Sequence, residues 1–193
     1  MIELYRNKEH LTMEGLNKLI AIKASLNIGL SDKLKKAFPK VVAVNRPIVP
    51  NQNIPDPMWI AGFTSAEGCF LVNIKQSKTI SLGYQTFLRF QITQHIRDRF
   101  LLINIINYLG CGHLREGKNV EFLDIEVQKL SDIHDKIIPF FIKYPILGVK
   151  ALDYADFTKI ADLMKDKSHL NEKGLDQIRK IKAGMNRGRQ SKE

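Results

Sequence analysis

The chain has 193 residues, 44% of them apolar, and a formal net charge of +10 at pH 7. The apolar content is enough for a sizeable core. The positive charge predicts a polyanionic partner, for which nucleic acid is the first candidate and an anionic membrane surface the second. No apolar run approaches the roughly 20 residues of a membrane-spanning helix, no signal-peptide stretch opens the chain, and two cysteines give no disulfide framework.

The first thirty residues resemble a stretch near the end of the chain. Residues 1–30 align with residues 160–189 without a gap, matching Lys8 with Lys167, His10 with His169 and Gly15 with Gly174, among others. We expect the chain to begin inside the final helices of an earlier repeat; chance similarity between two basic amphipathic helices is the alternative. Thr12 and Asn171 are the predicted caps of the two helices.

Residues 31–54 carry prolines, β-branched residues and no helical period. We therefore predict an extended linker that joins two repeats.

Residues 56–68 predict a short helix around which the rest is organised. Asp56 suits the N-cap, Pro57 suits the first turn, and Gly68 suits a left-handed stop after the last turn. The small residues Ala61, Gly62, Ser65 and Ala66 form one nearly bare helix face, which would let a second backbone approach closely. Tight packing in the chain's own core is the ordinary alternative for such a face.

Glu67 occupies the last turn of this helix, where the helix dipole disfavours a carboxylate. A bound divalent cation would reverse that penalty, so Glu67 is a candidate metal ligand. A solvated surface glutamate is the ordinary alternative.

Alternation then predicts strands on either side of the polar residues 76–83. Phe70, Val72 and Ile74 should face the core from the first strand, and Leu88, Phe90 and Ile92 from the second. Residues 95–109 follow a helical period through Ile96, Phe100, Ile103 and Ile106, and Gly110 ends that helix.

A second strand pair follows, at residues 112–116 and 121–128, around a turn at residues 117–119. Ser131 should cap the next helix, which Pro139 interrupts or kinks. Residues 149–165 predict a helix with Leu152, Ala155, Ile160 and Leu163 on one side, and residues 187–192 a disordered basic tail.

This order predicts an α+β fold with an αββαββα module at residues 55–193, built on an antiparallel, saddle-shaped sheet with helices on one face. The other face should be polar. Side chains of the kinds that read base edges in the DNA major groove lie there, and with the net charge they predict a DNA-binding surface. The candidates are Asn73, Lys75, Ser77, Gln85, Phe87, Arg89, Gln91, His113, Arg115, Asp124 and Glu126.

Residues 60–68 also resemble the motif of the LAGLIDADG homing endonucleases. The residues identical to the motif are Ala61, Gly62, Ala66 and Gly68, and Glu67 occupies the position of the family's acidic metal ligand. Phe63, Thr64 and Ser65 depart from the literal motif at positions inside the helix. The resemblance extends over residues 56–185, and the linker and doubled C-terminal helices resemble the second half of single-chain fungal mitochondrial members.

The resemblance implies a divalent-metal site and further active-site residues. Glu67 and the carbonyl of Ala66 would hold Mg²⁺, with Mn²⁺ expected to substitute and Ca²⁺ to bind without turnover. Gln94 would position the attacking water, and Lys150 would be the active-site lysine, with Lys143 as the alternative. Ala61, Gly62, Ser65 and Ala66 would form the interface between two motif helices.

The function implied is site-specific, metal-dependent cleavage of double-stranded DNA by a mitochondrial, intron-encoded enzyme. A double-strand cut needs two sites and this chain has one motif, so we expect a homodimer or a complementary half. The alternatives are an intron RNA-splicing maturase, which shares the fold, and a cleavage-inactive DNA-binding half. No membrane partner is expected, and a domain that binds only protein fits the charge least well.

Overall fold

A computed structural model of the chain describes residues 1–26, 28–46, 51, 53–117 and 121–189. The chain divides into two compact units, Met1–Pro50 and Asn51–Glu193. The first unit contains α1 (Ile2–Arg6), α2 (Met13–Ser25) and α3 (Asp32–Ala37). In the part of the chain that the structure describes, no helix combines the length and the apolarity needed to cross a membrane.

The second unit has the predicted alternation of helices and strands. Its elements are α4 (Pro57–Glu67), β1 (Gly68–Gln76), β2 (Tyr84–His95), α5 (Arg99–Leu109), β3 (His113–Glu116), β4 (Phe122–Val127), α6 (Leu130–Asp132), α7 (Ile138–Lys143), α8 (Lys150–Lys165) and α9 (Glu172–Ala183). A π-helical turn, Ile133–Ile137, joins α6 to α7. The α+β prediction and the αββαββα order are therefore confirmed.

The sheet has the strand order β1-β2-β4-β3, and all its neighbours are antiparallel. The predicted alternation is correct, because Phe70 lies opposite Phe90, Ile92 lies opposite Ile125, and all four are buried. Helices cover this face. The core residues they supply include Leu102, Ile105, Ile137, Phe141, Phe157 and Ile160.

The faces predicted for α5 and α8 are correct only in part. β2 continues to His95 and a 3-10 turn, Ile96–Asp98, precedes α5, so Leu102, Ile105 and Leu109 are buried and Phe100 is 61% exposed. In α8 Ile160 is buried as predicted and Leu163 packs against the core, but the predicted Leu152 and Ala155 are exposed and Phe157 is buried instead. Both helices carry apolar side chains on several faces, so periodicity alone does not identify the buried face. The way in which each helix packs on the sheet decides which residues are buried.

The two similar stretches adopt the same local structure in their separate units. Lys8 and Lys167 have φ values of 57° and 59°, and each precedes a 3-10 turn. Thr12 Oγ1 accepts a hydrogen bond from Gly15 N at 3.0 Å, and Asn171 Oδ1 accepts one from Gly174 N at 2.9 Å, as predicted for the two caps. At Gly15 or Gly174, a Cβ would lie 1.9 or 2.1 Å from a carbonyl oxygen of the preceding turn, so both positions require glycine.

The predicted extended linker is wrong for residues 32–37, which form α3. Ser31 Oγ accepts a hydrogen bond from Leu34 N at 3.5 Å, and the helix stops just before Pro39, whose ring disfavours helix at the preceding residue. Val44 N donates to Ala21 O at 3.2 Å, so this stretch contacts α2 within the first unit. The predicted linker residues Pro47 and Pro50, and Asn27 of the repeat, lie outside the described residues.

Helix α4 begins as predicted but ends differently. Asp56 Oδ1 accepts a hydrogen bond from Met58 N at 2.7 Å, and Pro57 is the first helical residue. Gly68 is not a left-handed stop, because its φ of −74° and ψ of 159° make it the first residue of β1. A Cβ at Gly68 would lie 2.5 Å from Thr64 Cγ2, so glycine is needed for close packing rather than for a positive φ.

Two further predictions for the second half of the module need correction. Ser131 lies inside α6 and does not cap it, since the N-cap residue is Lys129. Of the two outcomes predicted for Pro139, an interruption of the helix is wrong, because the π-helical turn leads directly into α7, which contains Pro139. Two of the three turn residues predicted between β3 and β4, Lys118 and Asn119, lie outside the described residues.

Candidate nucleic-acid interface and catalytic site

The C-terminal end of α4 carries an exposed carboxylate beside a lysine. Glu67 is the last residue of the helix and is exposed to solvent. Lys150 Nζ donates a hydrogen bond to Ala66 O, in the last turn of the helix, at 3.1 Å. A cation is favourable here because the last carbonyls of a helix carry partial negative charge. The oxygen of Ala66, which we predicted as a metal ligand, is thus the acceptor of Lys150.

The segment that brings Lys150 to this position is fixed against α4. Leu147 N donates to Ser65 Oγ at 3.4 Å, and Ser65 Oγ donates to Ala61 O at 2.8 Å. Lys143, the alternative lysine, lies over the ring of Tyr144 with its Nζ 5.3 Å from the ring centroid. Of the two lysines, Lys150 is the one that the structure places at the end of α4.

An open groove of about 620 Å³ lies at this end of α4, and we call it the α4 groove. Its walls include Ser65, Ala66, Gly68, Cys69, Lys150, Asn186 and Arg187. Burial raises the pKa of the Cys69 thiol, so Cys69 is a protonated thiol at neutral pH. A thiol in this form is a poor nucleophile and a poor metal ligand. The groove therefore offers charge from Lys150 and Arg187 rather than thiol chemistry, and the exposed Glu67 belongs to the same last turn of α4 as Ala66.

Arg187 is a groove residue that the sequence analysis placed in a disordered tail. The structure instead has a 3-10 turn, Asn186–Gly188. Asp153 Oδ1 accepts hydrogen bonds from Asn186 N at 2.9 Å and from Arg189 Nε at 3.0 Å. Hydrogen bonds from Arg189 to Asp156 and Asp153 raise the pKa of the Arg189 guanidinium. Residues 190–193 of the predicted tail lie outside the described residues.

The repeat could have indicated that this segment is ordered. Asn186 aligns with Asn27 in the ungapped repeat, and its side-chain Nδ2 donates to Phe70 O on β1 at 3.0 Å. A repeated polar residue beyond the end of a helix is a signal that its side chain has a structural role.

Gln94 lies at the same end of the sheet as Glu67. Ile92 pairs with Gly68, the residue after Glu67, and Gln94 is two residues further along β2, opposite Leu123. Alternation places Gln94 on the helix side of the sheet rather than on the open face.

The small-residue face of α4 is only partly open. Ala61 is buried in the core, so its predicted place in an interface is wrong. Gly62 and Ala66 are exposed, Ser65 is half-buried, and a Cβ at Gly62 would meet no atom within 4 Å. Met58 and Trp59 are exposed on the same helix, and Trp59 stacks on Phe63 at 4.9 Å between ring centroids. The open stripe therefore runs from Met58 through Gly62 to Ala66.

The face of the sheet opposite the core carries the predicted polar residues, and we call it the open face. Near the turn between β1 and β2, Lys75 Nζ lies 5.1 Å from the centroid of the Phe87 ring, and Asn73 and Gln85 neighbour this pair in the register. Ser77 is in the turn itself, where its backbone N donates to Gly83 O at 2.8 Å. His113 is exposed on β3, opposite Glu126.

Towards β3 the open face carries a hydrogen-bond network around two carboxylates. Asp124 and Glu126 are 1% and 2% exposed. Asp124 accepts from Thr93 Oγ1 at 2.6 Å, from Gln91 Nε2 at 2.9 Å and from Arg115. Glu126 accepts from Arg115 Nε at 2.7 Å and from Arg89 Nη1 at 2.9 Å.

This network corrects the prediction that Asp124 and Glu126 contact bases directly. They lie on the predicted face, but side chains of Arg89, Gln91 and Arg115 cover them and occupy their oxygens. A buried carboxylate requires such partners, and sequence spacing alone does not reveal them. Gln128, which the sequence analysis did not select, joins the network by donating from Nε2 to Glu126 Oε2 at 2.7 Å.

The module thus combines a four-stranded antiparallel sheet, one face of which is polar, with a helix that ends in an exposed carboxylate. The family model described as LAGLIDADG endonuclease matches residues 60–161. The chain belongs to the LAGLIDADG endonuclease family.

The relatives agree with this assignment. "Probable intron-encoded endonuclease 3" of Neurospora crassa is 42% identical over 178 residues, which cover 92% of this chain and 33% of that protein. The crystal structure of the I-SmaMI LAGLIDADG homing endonuclease bound to cleaved DNA is 49% identical with a TM-score of 0.93, and the match covers 97% of this chain and 63% of that one. I-SmaMI bound to an uncleaved DNA target with calcium ions matches with 49% identity and a TM-score of 0.91, over 95% of this chain and 63% of that one. The chain thus spans a third of the curated relative and less than two thirds of the solved chains.

Proposed function

We propose that this chain is one module of a site-specific homing endonuclease, which hydrolyses phosphodiester bonds of double-stranded DNA. The observation that carries the proposal is the C-terminal end of α4, where Glu67 is exposed and Lys150 Nζ donates a hydrogen bond to the carbonyl of the preceding residue, Ala66. The structures of similar proteins bound to DNA support the choice of substrate.

The residues of the groove would have separate roles. Lys150 and Arg187 would offset the charge that develops on a phosphate during hydrolysis, because fixed cations near a reacting phosphate lower the barrier. Gln94 would orient the attacking water from the end of β2. The open face would hold the duplex in its major groove, so that the α4 groove meets the backbone.

The proposed enzyme uses a divalent metal, with Mg²⁺ as the natural ion, Mn²⁺ as a substitute and Ca²⁺ as an ion that binds without turnover. Glu67 fits this role because Mg²⁺ is usually held by one or two carboxylates together with phosphates and waters. Among the described residues there is no group of three His, Cys, Asp or Glu that could hold a metal ion alone. When bound, the ion would stabilise negative charge on the phosphate and lower the pKa of a bound water.

A second module would complete the enzyme, either as a homodimer or as a complementary half. The open stripe of α4 at Met58, Gly62 and Ala66 would contact the equivalent helix of that module. Residues 1–30 would correspond to the final helices of such a module, since their turn repeats the one before α9. Mitochondrial origin is proposed from the family resemblance and from the intron-encoded relatives.

The test is a chimaera in which this chain replaces the aligned region of I-SmaMI, with the chain alone as the comparison. We expect the chimaera to cut plasmid DNA in a Mg²⁺-dependent reaction. The chain alone should either sediment as a dimer that cuts DNA or sediment as a monomer that binds DNA and does not cut it. Binding of intron RNA without any plasmid cutting by either protein would favour a maturase. DNA binding that is independent of metal and of Glu67, again without cutting, would favour an inactive binding half.

A further inference from the structure

The buried carboxylates of the open face fix which atom Gln91 presents to solvent. This step rests on the proposed function, because it concerns how the open face reads DNA. A glutamine amide has a donor end and an acceptor end, and base readout depends on which end faces the groove.

Asp124 determines the orientation of the amide. Its carboxylate pairs with Arg115 and can only accept, so the group of Gln91 that lies 2.9 Å from Asp124 Oδ1 must be the NH₂. The reverse orientation would place two oxygens in contact.

Thr93 uses the second hydrogen of the same amide. Thr93 Oγ1 lies 2.6 Å from Asp124 Oδ1 and must donate to it, so it accepts from Gln91 Nε2 at 3.1 Å. Both amide hydrogens of Gln91 are then occupied within the sheet. Within the described ranges no group donates to Gln91 Oε1, which leaves this oxygen as the group of Gln91 that can meet a ligand.

We propose that Gln91 is an acceptor-only recognition residue, held by Asp124, which selects a base with an exocyclic amino group. In the major groove those groups are adenine N6 and cytosine N4, whereas guanine and thymine present acceptors at the corresponding position. Asp124 is a positioning residue, because its own oxygens are covered.

Asp124→Asn should invert this preference. Arg115 is a donor, so the new amide at this position would turn its oxygen towards Arg115 and its NH₂ towards Gln91. Gln91 would then accept from that NH₂ through Oε1 and turn its own NH₂ outward. The base selected at the DNA position that Gln91 reads should change from adenine or cytosine to guanine or thymine.

The test is selection of duplexes by the full 193-residue chain from a randomised library, followed by sequencing. Gln91→Ala identifies the position that Gln91 reads, since the preference there should fall by about fivefold to tenfold, as for the loss of one base contact. The wild-type chain should select adenine or cytosine at that position, and Asp124→Asn should select guanine or thymine. Gln177→Ala, an exposed glutamine in α9 and outside the open face, is the control and should leave that position unchanged.

A second variant covers the case in which Asp124→Asn does not fold. Thr93→Val removes one acceptor but keeps Asp124, so adenine or cytosine should still be selected. Selection of guanine or thymine by the wild-type chain, or no position that depends on Gln91, would overturn the inference while leaving the proposed DNA binding intact. No enrichment of any sequence would overturn the DNA-binding proposal and this inference with it.

Discussion

The α4 groove and the open face differ in how completely their charged groups are paired. On the open face the oxygens of Asp124 and Glu126 accept from several side chains of the same module. At the end of α4 Glu67 is exposed, and Lys150 donates to the carbonyl of Ala66, the residue before it. The carboxylates of the open face are paired within one module, whereas the exposed charge of Glu67 is the feature from which we propose a metal, a phosphate and a second module.

Glu67→Gln is the substitution for which we expect the largest effect on cleavage. Cleavage by the chimaera should fall by about a thousandfold, the scale for removing one essential charged group, while the dissociation constant for DNA stays within a few-fold. Rates are measured on plasmid in Mg²⁺, and binding is measured separately in Ca²⁺. Glu172→Gln, an exposed glutamate in α9, is the matched control. Equal loss of binding and cleavage would mean that Glu67 is structural.

Lys150→Met should lower the cleavage rate by about tenfold to a hundredfold, because it removes the cation that we propose beside the reacting phosphate but keeps an unbranched side chain only one atom shorter. Lys143→Met is the matched control, since Lys143 contacts Tyr144 instead of α4. Single-turnover rates at saturating enzyme separate the effect on chemistry from any effect on binding. A larger loss from the Lys143 variant would assign the active-site role to that lysine.

Gly62 and Gly68 test the open and the closed parts of α4. Gly62→Leu should weaken association with a second module by about tenfold. Because leucine has a higher helix propensity than glycine, the same substitution should raise the free energy of unfolding of the chain by up to ~1 kcal/mol. Gly68→Ala should lower the free energy of unfolding by about 1 to 3 kcal/mol, because the new Cβ would clash with Thr64. Sedimentation and thermal unfolding measure the two effects. Unchanged association in Gly62→Leu would exclude this stripe from the interface.

Arg189→Gln gives the smallest effect and tests whether the C-terminal turn is fixed. Burial alone would raise the pKa of Asp156, but hydrogen bonds from Arg189 and Lys159 hold that pKa below its ordinary value. A lowered pKa in the folded state contributes stability above the ordinary pKa of aspartate, and that stability is lost as the pH falls. The variant should therefore be less stable by about 1 kcal/mol at neutral pH, and the difference should shrink below pH ~4. Thermal unfolding at pH 7 and pH 3 measures this, and a constant difference would contradict it.

Local patterns predicted the elements well but predicted the burial of particular helices poorly. Alternation correctly gave the inward residues of β1 and β2, because neighbouring residues of a strand must face opposite sides. In α5 and α8 the predicted faces were right only in part: Ile160 is buried, whereas Phe100 and Leu152 are exposed although they are as apolar as the residues that the sheet buries. The same limit explains Ala61, which fits an interface by size but lies in the core.

The sequence by itself determined the order of the elements, the face of the sheet that is polar and the position of Glu67 at the end of a capped helix. These follow from residues that are close in sequence, through caps, prolines and alternation. Only the tertiary structure decided that Lys150 reaches Ala66, that Arg187 lines the groove, and that Asp124 orients Gln91. Each of these contacts joins residues more than 30 positions apart, or a residue and a backbone carbonyl on another element, and short-range periodicity carries no information about such distances.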